Sequence, residues 1–274
     1  MEKEKRIRLS AVRCLWHEVA INGWRILRKT VNDFSLWRLI EYPRVTRMLD
    51  IHPGDTVLDI GSGTSSYPLM LAREGATVVV AELDEERVRW QRCKAEEVAP
   101  RQGQVLSVVA DATRLPFRDG AFTRVSAVSS IEHIPDDQSV GQEMGRVLAP
   151  GGIAVVSVPY TFHERLAFFP GIRDFTRVAR NEFVRARDGG LVRFYTEEDI
   201  EERFGGPVGC RVTARSYFGR KILNDWYHET WLTRYWNSFI LKDLLLAWVV
   251  HPFEELFLRR TEPFDIIFRV EKHL

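Results

Sequence analysis

The stretch VLDIGSGTSSYP, residues 57–68, decides the fold of this 274-residue chain. An apolar, strand-like run ends in the closely spaced glycines Gly61 and Gly63, and a helix start follows them. In α/β proteins such a strand, turn and helix form the usual binding site for a nucleotide. Asp59, however, lies two residues before the first glycine. The ligand must therefore suit a glycine-rich turn that has a carboxylate beside it.

The charge beside the turn argues against a dinucleotide. The G-x-G-x-x-G fingerprint needs a third glycine where this chain has Ser66. Asp59 would repel a pyrophosphate but attract an ammonium or, at longer range, a sulfonium. Glu82 ends the second strand-like run, the position from which a carboxylate accepts hydrogen bonds from both hydroxyls of a ribose. An adenosine with a cationic amino-acid tail satisfies these conditions. As alternatives, the glycines could serve only a tight turn, and the two carboxylates could be surface groups at strand ends.

Apolar and helical patterns alternate through the middle of the chain. Short apolar, β-branched runs, each bounded by turn or helix-start residues, are typical of buried parallel strands. The five runs are residues 55–60, 76–83, 104–110, 123–128 and 153–159. Helical patterns lie between several of them, at residues 67–74, 85–98 and 139–148. This order predicts an α/β fold with a doubly wound sheet that binds ligands at the carboxyl ends of its strands.

Helical and aromatic additions flank this core. Seven of the eight tryptophans lie outside residues 54–158, so the additions differ from solvated linkers. We expect four regions along the chain. They are an N-terminal helical cap at residues 1–50, a core at 51–217 with an insertion at 160–195, an aromatic helical insertion at 218–261, and the last core strand at 262–274.

The composition of the chain indicates its cellular compartment and the kinds of partner it binds. The formal net charge is +1, so nothing draws the whole chain toward nucleic acid. Its three cysteines are widely spaced and lack metal-ligand spacing, which indicates reduced thiols and no metal site. The N-terminus lacks the apolar core of a signal peptide, and the apolar run at 244–250 is too short to span a bilayer. We expect a cytoplasmic protein with no transmembrane segment.

Five motifs resemble, in order and spacing, those of the class I S-adenosylmethionine-dependent methyltransferases, in particular the small-molecule branch. They are VLDIGSGTS, VVVAELDEERV, ADATRLPFRDGAFTRV, SSIEHI and RVLAPGG. The resemblance covers about residues 40–160 and extends more weakly over 195–217 and 265–272. It implies a mostly parallel, seven-stranded, Rossmann-like sheet with helical additions, S-adenosylmethionine as the cofactor, and methyl transfer as the activity.

The resemblance also assigns cofactor contacts by position. Asp59 and the two glycines hold the methionine part, and Glu82 holds the ribose. Leu83 covers one face of the adenine, and Asp111 with Ala112 contacts its edge. The full set is Asp59, Gly61, Ser62, Gly63, Glu82, Leu83, Asp111, Ala112 and Ser129. Asp111 has an alternative role, as a side chain that caps the turn after its strand.

Methyl transfer needs little chemistry from the protein. The methyl group moves in line from a positively charged sulfur to a nucleophile, and holding both reactants in position supplies much of the acceleration. If the acceptor must lose a proton, a histidine near the end of the fourth strand is well placed, since its unperturbed pKa lies near neutral pH. His133 in SSIEHI is that candidate, although it could instead pack at the junction or shape the pocket. Tyr160 and His163 are weaker alternatives.

The insertion after the fifth strand is cationic. Arg173, Arg177 and Arg180 recur at helical spacing and form either a solvated helix face or a contact for a carboxylate or phosphate of the acceptor. After it, residues 196–199, TEED, have the spacing of a capping box and predict that a helix begins there.

The aromatic segment at residues 218–261 has apolar residues at helical intervals, which predicts amphipathic or buried helices. Three roles stay open for it. It packs with the N-terminal helices as a secondary core, or it walls the pocket and selects a flat or apolar acceptor. In the third role it exposes an apolar face to a membrane surface or to the second subunit of a homodimer.

Together these observations predict transfer of a methyl group to oxygen or nitrogen of a small organic acceptor. Two alternatives stay open. One is methylation of a macromolecule, either RNA or protein, and the near-neutral charge argues against RNA. The other is a non-catalytic S-adenosylmethionine-binding protein whose helical additions contact a partner protein.

Overall fold

The computed structural model describes residues 6–23, 36–161, 165–167, 176–178, 183–185, 191–220 and 263–274. The helices are α1 (Ala11–Asn22), α2 (Leu36–Leu49), α3 (Tyr67–Arg73), α4 (Glu85–Val98), α5 (Asp137–Val147) and α6 (Glu197–Phe204). The strands of the core are β1 (Thr56–Ile60), β2 (Thr77–Glu82), β3 (Gln104–Val109), β4 (Phe122–Val128), β5 (Leu148–Pro159), β10 (Cys210–Arg220) and β11 (Pro263–Lys272). Between β5 and α6 lie four short strands, β6 (Arg165–Ala167), β7 (Thr176–Val178), β8 (Phe183–Arg185) and β9 (Leu191–Arg193).

Seven strands form one sheet in the order β10-β11-β5-β4-β1-β2-β3. The strands β1 to β5 run parallel, whereas β11 pairs antiparallel with both β5 and β10. Strand β1 lies between β2 and β4, so the chain builds outward first on one side of β1 and then on the other. This reversal makes the carboxyl end of β1 the switch point at which doubly wound sheets bind ligands. The predicted α/β fold is confirmed.

Local sequence signals set two of the helix starts. The Asp84 side chain accepts hydrogen bonds from the backbone N–H groups of Glu86 and Arg87, and α4 begins at the predicted residue. Thr196 and Asp199 form the predicted capping box of α6, in which each side chain accepts a hydrogen bond from the backbone N–H of the other residue. Both predicted starts are confirmed.

The fifth strand is longer than predicted. It begins at Leu148 rather than at residue 153, because Leu148 pairs with Phe122 at the start of β4. The register then shifts between Phe122 and Arg124, an irregularity that accommodates the extra residues of β5. Gly151 and Gly152 therefore lie inside the irregular beginning of this strand.

Buried side chains cover both faces of the sheet. Neighbouring residues of β1 point to opposite faces, so Val57 belongs to one buried cluster and Leu58 to the other. The first cluster also holds side chains of α1, α2 and α3, among them Tyr42, and the second holds side chains of α5 and α6, among them Phe204. The N-terminal helices therefore share a hydrophobic core with the sheet.

The arginine-rich insertion is extended where the structure describes it. Arg177 lies in β7, which pairs antiparallel with β6, and β8 pairs with β9 in a second small sheet. The prediction of a helical face is therefore wrong for residues 176–178. The β-branched neighbours Thr176 and Val178 favour a strand, and their preference outweighs the helical spacing of the arginines. Arg173 and Arg180 lie outside the described residues.

Strand β10 extends into the range predicted as aromatic insertion. Phe218 pairs with Asp265 of β11, so the strand continues to Arg220 instead of ending at residue 217. The remainder of the insertion, residues 221–262, lies outside the described residues, and its helices stay a prediction. Within the described ranges, no helix has the length and apolar character needed to cross a membrane.

The helices α5 and α6 meet so closely at Gly141 that a side chain does not fit. A Cβ there would lie 2.1 Å from the carbonyl oxygen of Arg203, a backbone atom that cannot swing away. We expect Gly141→Ala to lower the free energy of unfolding by about 1–3 kcal/mol, although alanine by itself favours a helix. Urea denaturation followed by circular dichroism measures this change. Gly206→Ala is the control, since a Cβ at Gly206 meets no atom within 4 Å; equal stability of both variants would contradict the close helix contact.

Candidate active site

A cavity of about 1290 Å³ opens at the carboxyl ends of β1, β2 and β4. The residues that line it include Asp59, Gly61, Ser62, Gly63, Glu82, Leu83, Asp111, Ala112, Ser129 and His133. The structure thus brings every predicted site residue to one cavity, while their individual roles stay predictions. Among the described residues, no group of His, Cys, Asp and Glu side chains is arranged to hold a metal ion.

The glycine-rich turn needs its first glycine for two reasons. Gly61 has a φ of 69°, in the left-handed region that other residues rarely adopt. In addition, a Cβ at Gly61 would lie 2.7 Å from the Cβ of Ser130, which follows β4. The turn can therefore close over the end of β4 only with glycine at this position.

Asp59 places a buried carboxylate beneath this turn. Its side chain is 3% exposed and accepts hydrogen bonds from the hydroxyls of Ser62 and Ser126. Burial raises the pKa of Asp59 to about 6, although the two serine hydroxyls and the Arg38 guanidinium each lower it. At neutral pH the cavity therefore holds a desolvated negative charge, which a cationic ligand group would stabilise.

Glu82 links the turn to the end of β2. One carboxylate oxygen, Oε2, accepts a hydrogen bond of 2.9 Å from the backbone N–H of Gly63, and Oε1 accepts one of 3.2 Å from the N–H of Asp84. Each carboxylate oxygen has two lone pairs, so further hydrogen bonds from ligand hydroxyls are compatible with this arrangement. The geometry fits the predicted ribose contact and also shows that Glu82 holds the turn in place.

Leu83 and Asp111 lie on the next part of the cavity wall. Leu83 is 68% exposed, which is unusual for a large apolar side chain and suits contact with a flat ring. Asp111 Oδ1 accepts hydrogen bonds from the backbone N–H and the hydroxyl of Thr113, at 2.9 and 2.7 Å. The turn-capping role that the sequence left open for Asp111 is thus present, and it leaves the residue on the cavity wall.

Comparison with known proteins agrees with this geometry. Residues 58–156 match a family model described as a methyltransferase domain. Methyltransferase GfsG of Streptomyces halstedii is 40% identical over 107 residues, which are 38% of this chain and 37% of that protein. A demethylmenaquinone methyltransferase of Mycobacterium marinum is 37% identical over 114 residues, 41% of this chain and 46% of that protein. The chain thus spans less than half the length of these two relatives.

Residues 58–156 are thus similar to a methyltransferase domain.

Solved structures share the fold of this chain. The cyclase SpnF aligns with a TM-score of 0.62 and 16% identity, and the alignment covers 100% of each chain. A geranyl diphosphate C-methyltransferase of Streptomyces coelicolor aligns with a TM-score of 0.57 and 15% identity, over 86% of this chain and 77% of that chain. At such low identity the likeness concerns the fold and not the reaction.

A charged pair on α2 reaches the methyltransferase domain from outside the matched residues. Glu41 is 2% exposed, and its Oε1 accepts hydrogen bonds from the hydroxyls of Ser129 and Ser157, at 2.9 and 2.5 Å. Its Oε2 accepts one of 2.5 Å from Arg38 Nη1, which also lies 3.1 Å from the Ser129 hydroxyl. These contacts attach α2 to the residues at the carboxyl ends of β4 and β5.

Sequence reasoning missed this pair, although a signal was present. Arg38 and Glu41 are charged residues three positions apart in a helix whose neighbouring residues Leu39, Ile40 and Tyr42 are buried. Charged side chains on such a helix require partners, because burial of an unpaired charge is costly. The sequence could have predicted that partners exist, but not which residues they are.

His133 lies on the rim of the cavity. It ends the short 3₁₀ helix Ile131–His133, and its side chain is 53% exposed. Nδ1 lies 2.8 Å from the carbonyl oxygen of Leu191, so Nδ1 carries a hydrogen and donates it to that oxygen. Of the weaker alternatives, Tyr160 is buried and packs edge to face on Tyr217, and His163 lies outside the described residues.

Glu132, the neighbour of His133, is a cavity residue that the sequence pattern did not predict. It lines the same cavity but is only 4% exposed. Burial raises the pKa of Glu132 to about 7, although His133 and Arg38 lower it. This carboxylate therefore titrates near neutral pH. That property was the reason for which the sequence favoured His133 as the base.

Asp59 should destabilise the ligand-free protein at neutral pH. Its folded-state pKa of about 6 lies above the ordinary aspartate value of 3.8, so the folded state binds the proton more tightly, and stability falls as pH rises through this range. We expect Asp59→Asn to raise the free energy of unfolding by about 1–3 kcal/mol at about pH 7.5 and by much less at about pH 4.5. Urea denaturation at both pH values measures this. Asp119→Asn, whose side chain is 81% exposed, is the control; a pH-independent difference for Asp59→Asn would contradict the buried charge.

Glu82 should contribute strongly to cofactor affinity. We expect Glu82→Ala to weaken binding of S-adenosylhomocysteine by roughly 10–150-fold, the scale of hydrogen bonds to a charged group. Isothermal titration calorimetry measures the dissociation constant. Glu86→Ala, at an exposed position of α4, should bind like the wild type. Unchanged affinity of Glu82→Ala would remove the ribose assignment.

Proposed function

We propose that this chain transfers the methyl group of S-adenosylmethionine to a small organic acceptor. The observation that supports this most is the buried carboxylate of Asp59 at the glycine-rich turn. A diphosphate at this place would meet a desolvated negative charge, whereas the ammonium and the sulfonium of S-adenosylmethionine are attracted to it. The Glu82 carboxylate then lies where the ribose hydroxyls need an acceptor.

The cavity has room for two molecules. Its volume of about 1290 Å³ exceeds the roughly 300–1,000 Å³ of a pocket for one drug-sized ligand. The walls that the cofactor assignment does not use include Arg38, Glu132, His133 and Leu191. We assign this part of the cavity to the acceptor, whose position beside the sulfonium would supply much of the rate acceleration.

We propose carbon as the methylated atom, in place of the oxygen or nitrogen that the sequence favoured. Among the relatives are demethylmenaquinone methyltransferases and a ubiquinone/menaquinone biosynthesis C-methyltransferase of Acidiphilium cryptum, which is 39% identical over 106 residues. An electron-rich ring carbon, such as that of a hydroquinone, is the acceptor class that these names support.

Cofactor selectivity is the first test of this proposal. S-adenosylmethionine and S-adenosylhomocysteine should raise the melting temperature clearly, since a ligand that binds only the folded state stabilises it. NAD and ATP at the same concentration should raise it little, because Asp59 disfavours phosphate. Differential scanning fluorimetry compares the four ligands. A larger shift with NAD than with S-adenosylhomocysteine would overturn the cofactor assignment.

Turnover is the second test, and it must be measured directly, because a neighbour with this fold is named a cyclase. We expect mass spectrometry to find a carbon-bound methyl group on a short-chain demethylmenaquinol analogue after incubation with S-adenosylmethionine. Catechol and a primary arylamine serve as oxygen and nitrogen acceptors in parallel. Methyl transfer only to RNA or protein would favour a macromolecular acceptor. Tight cofactor binding without any transfer would favour a non-catalytic binding protein.

A further inference from the structure

Glu132 has a carboxylate oxygen that the fold leaves without a partner. Its Oε2 is buried and receives no hydrogen bond from the part of the chain that the structure describes. A buried acceptor without a donor is costly, so such groups in folded proteins call for an explanation in terms of function. Glu132 also lines the cavity, so a bound molecule that reaches this buried oxygen would supply the missing donor.

Its charged neighbours make this carboxylate different from the nearby Glu41. Both oxygens of Glu41 accept hydrogen bonds, from two serine hydroxyls and from Arg38. Glu132 instead faces a mixed set of charges: Arg38 and His133 favour its ionised form, whereas burial and Glu41 oppose it. The charge of Glu132 in turn raises the pKa values of Asp265 and Tyr195. Glu41 is therefore occupied in holding α2, and Glu132 is available to a ligand.

His133 connects this buried carboxylate with solvent. Since Nδ1 donates its hydrogen to the carbonyl oxygen of Leu191, the second nitrogen, Nε2, is left as the proton acceptor. Nε2 lies 3.9 Å from Glu132 Oε1, and about half of the imidazole side chain is exposed. A proton that reaches Glu132 thus has a short route to the rim of the cavity.

We propose that Glu132 accepts the proton that the acceptor loses during methyl transfer, and that His133 passes this proton to solvent. This assignment rests on the proposed function. A π electron pair of the acceptor carbon forms the new bond to the methyl carbon, while the carbon–sulfur bond breaks and its electron pair stays on the sulfur of S-adenosylhomocysteine. The electrons of the carbon–hydrogen bond then restore the ring, and the proton moves to Glu132 Oε2. The base that the sequence placed at His133 is thereby moved one residue earlier.

A carboxylate base in this position must change the affinity for the cofactor even when no acceptor is bound. The reacting carbon lies next to the methyl group, so an ionised Glu132 is close to the sulfonium. At a separation of about 6 Å the attraction should favour S-adenosylmethionine over the neutral thioether by about tenfold or more. Burial raises the pKa of Glu132 to about 7, so this preference should be present above that pH and vanish as the carboxylate is protonated below it.

The test compares the binding of two ligands to three proteins, which are the wild type, Glu132→Gln and Glu96→Gln. Calorimetry gives the dissociation constants of S-adenosylmethionine and S-adenosylhomocysteine at about pH 5.5 and about pH 8. Both ligands carry the same amino and carboxyl groups, so their ratio isolates the sulfonium. We expect Glu132→Gln to lower the preference for S-adenosylmethionine about tenfold at the higher pH and to leave it unchanged at the lower pH. Glu96→Gln, at an exposed position of α4, should behave like the wild type.

The outcomes of this test distinguish failure of the Glu132 assignment from failure of the proposed function. Asp59 also titrates in this range, but it is present in all three proteins and cancels in the comparison. Equal preferences in Glu132→Gln and wild type at the higher pH would overturn the assignment of Glu132, and the proposed function would stand. Failure of the wild type to bind either ligand would overturn the proposed function together with this assignment.

Turnover of the demethylmenaquinol analogue supplies an independent measurement. We expect Glu132→Gln to lower kcat roughly 10²-fold or more with little change in KM, because removal of a general base acts on the chemical step. Glu132→Asp should recover part of the rate, since it keeps a carboxylate on a shorter side chain. A near-normal kcat in Glu132→Gln together with a large loss in His133→Ala would return the base role to His133.

Discussion

The structure depends on one buried carboxylate at the switch point of the sheet. Asp59 pairs in register with Val80 of β2 and Ser126 of β4, and the turn above it closes only because Gly61 has no side chain toward Ser130. Burial raises the pKa of Asp59 to about 6 despite its two serine partners. The carboxylate thus weakens the empty fold at neutral pH and strengthens the complex with a cation. Stability and ligand choice are coupled at this single side chain.

Two acids with raised pKa values share one cavity, and one guanidinium acts on both. Arg38 lowers the pKa of Asp59 and of Glu132, and it is held in place by Glu41. A cationic ligand would add a second positive charge to the same cavity and lower both pKa values further. Charging of the two carboxylates is therefore linked to occupancy of the site.

The glycine-rich end of the cavity could be predicted from sequence because its signals are local. The strand that ends at Gly61 and the carboxylate at the end of β2 lie within short, recognisable stretches. The contacts of Glu41 could not be predicted, since they join distant residues: Glu41 meets Ser129 and Ser157 across 88 and 116 positions. Sequence favoured a histidine as the base because a carboxylate titrates near neutral pH only after burial, and burial of one residue is set by the whole fold. For the same reason, pairing between strands, and not local spacing, decided where β5 and β7 lie.

The attachment of α2 to the ends of β4 and β5 has a consequence for how this enzyme fold diversifies. Helix α2 precedes the residues 58–156 that carry the family signature, yet through Arg38 it sets part of the charge inside the cavity. A chimaera that exchanged only the N-terminal segment between two relatives would therefore change the charge inside the cavity as well as the packing of α2. The charge inside the cavity can therefore change through α2 while the motifs at residues 58–156 stay unaltered.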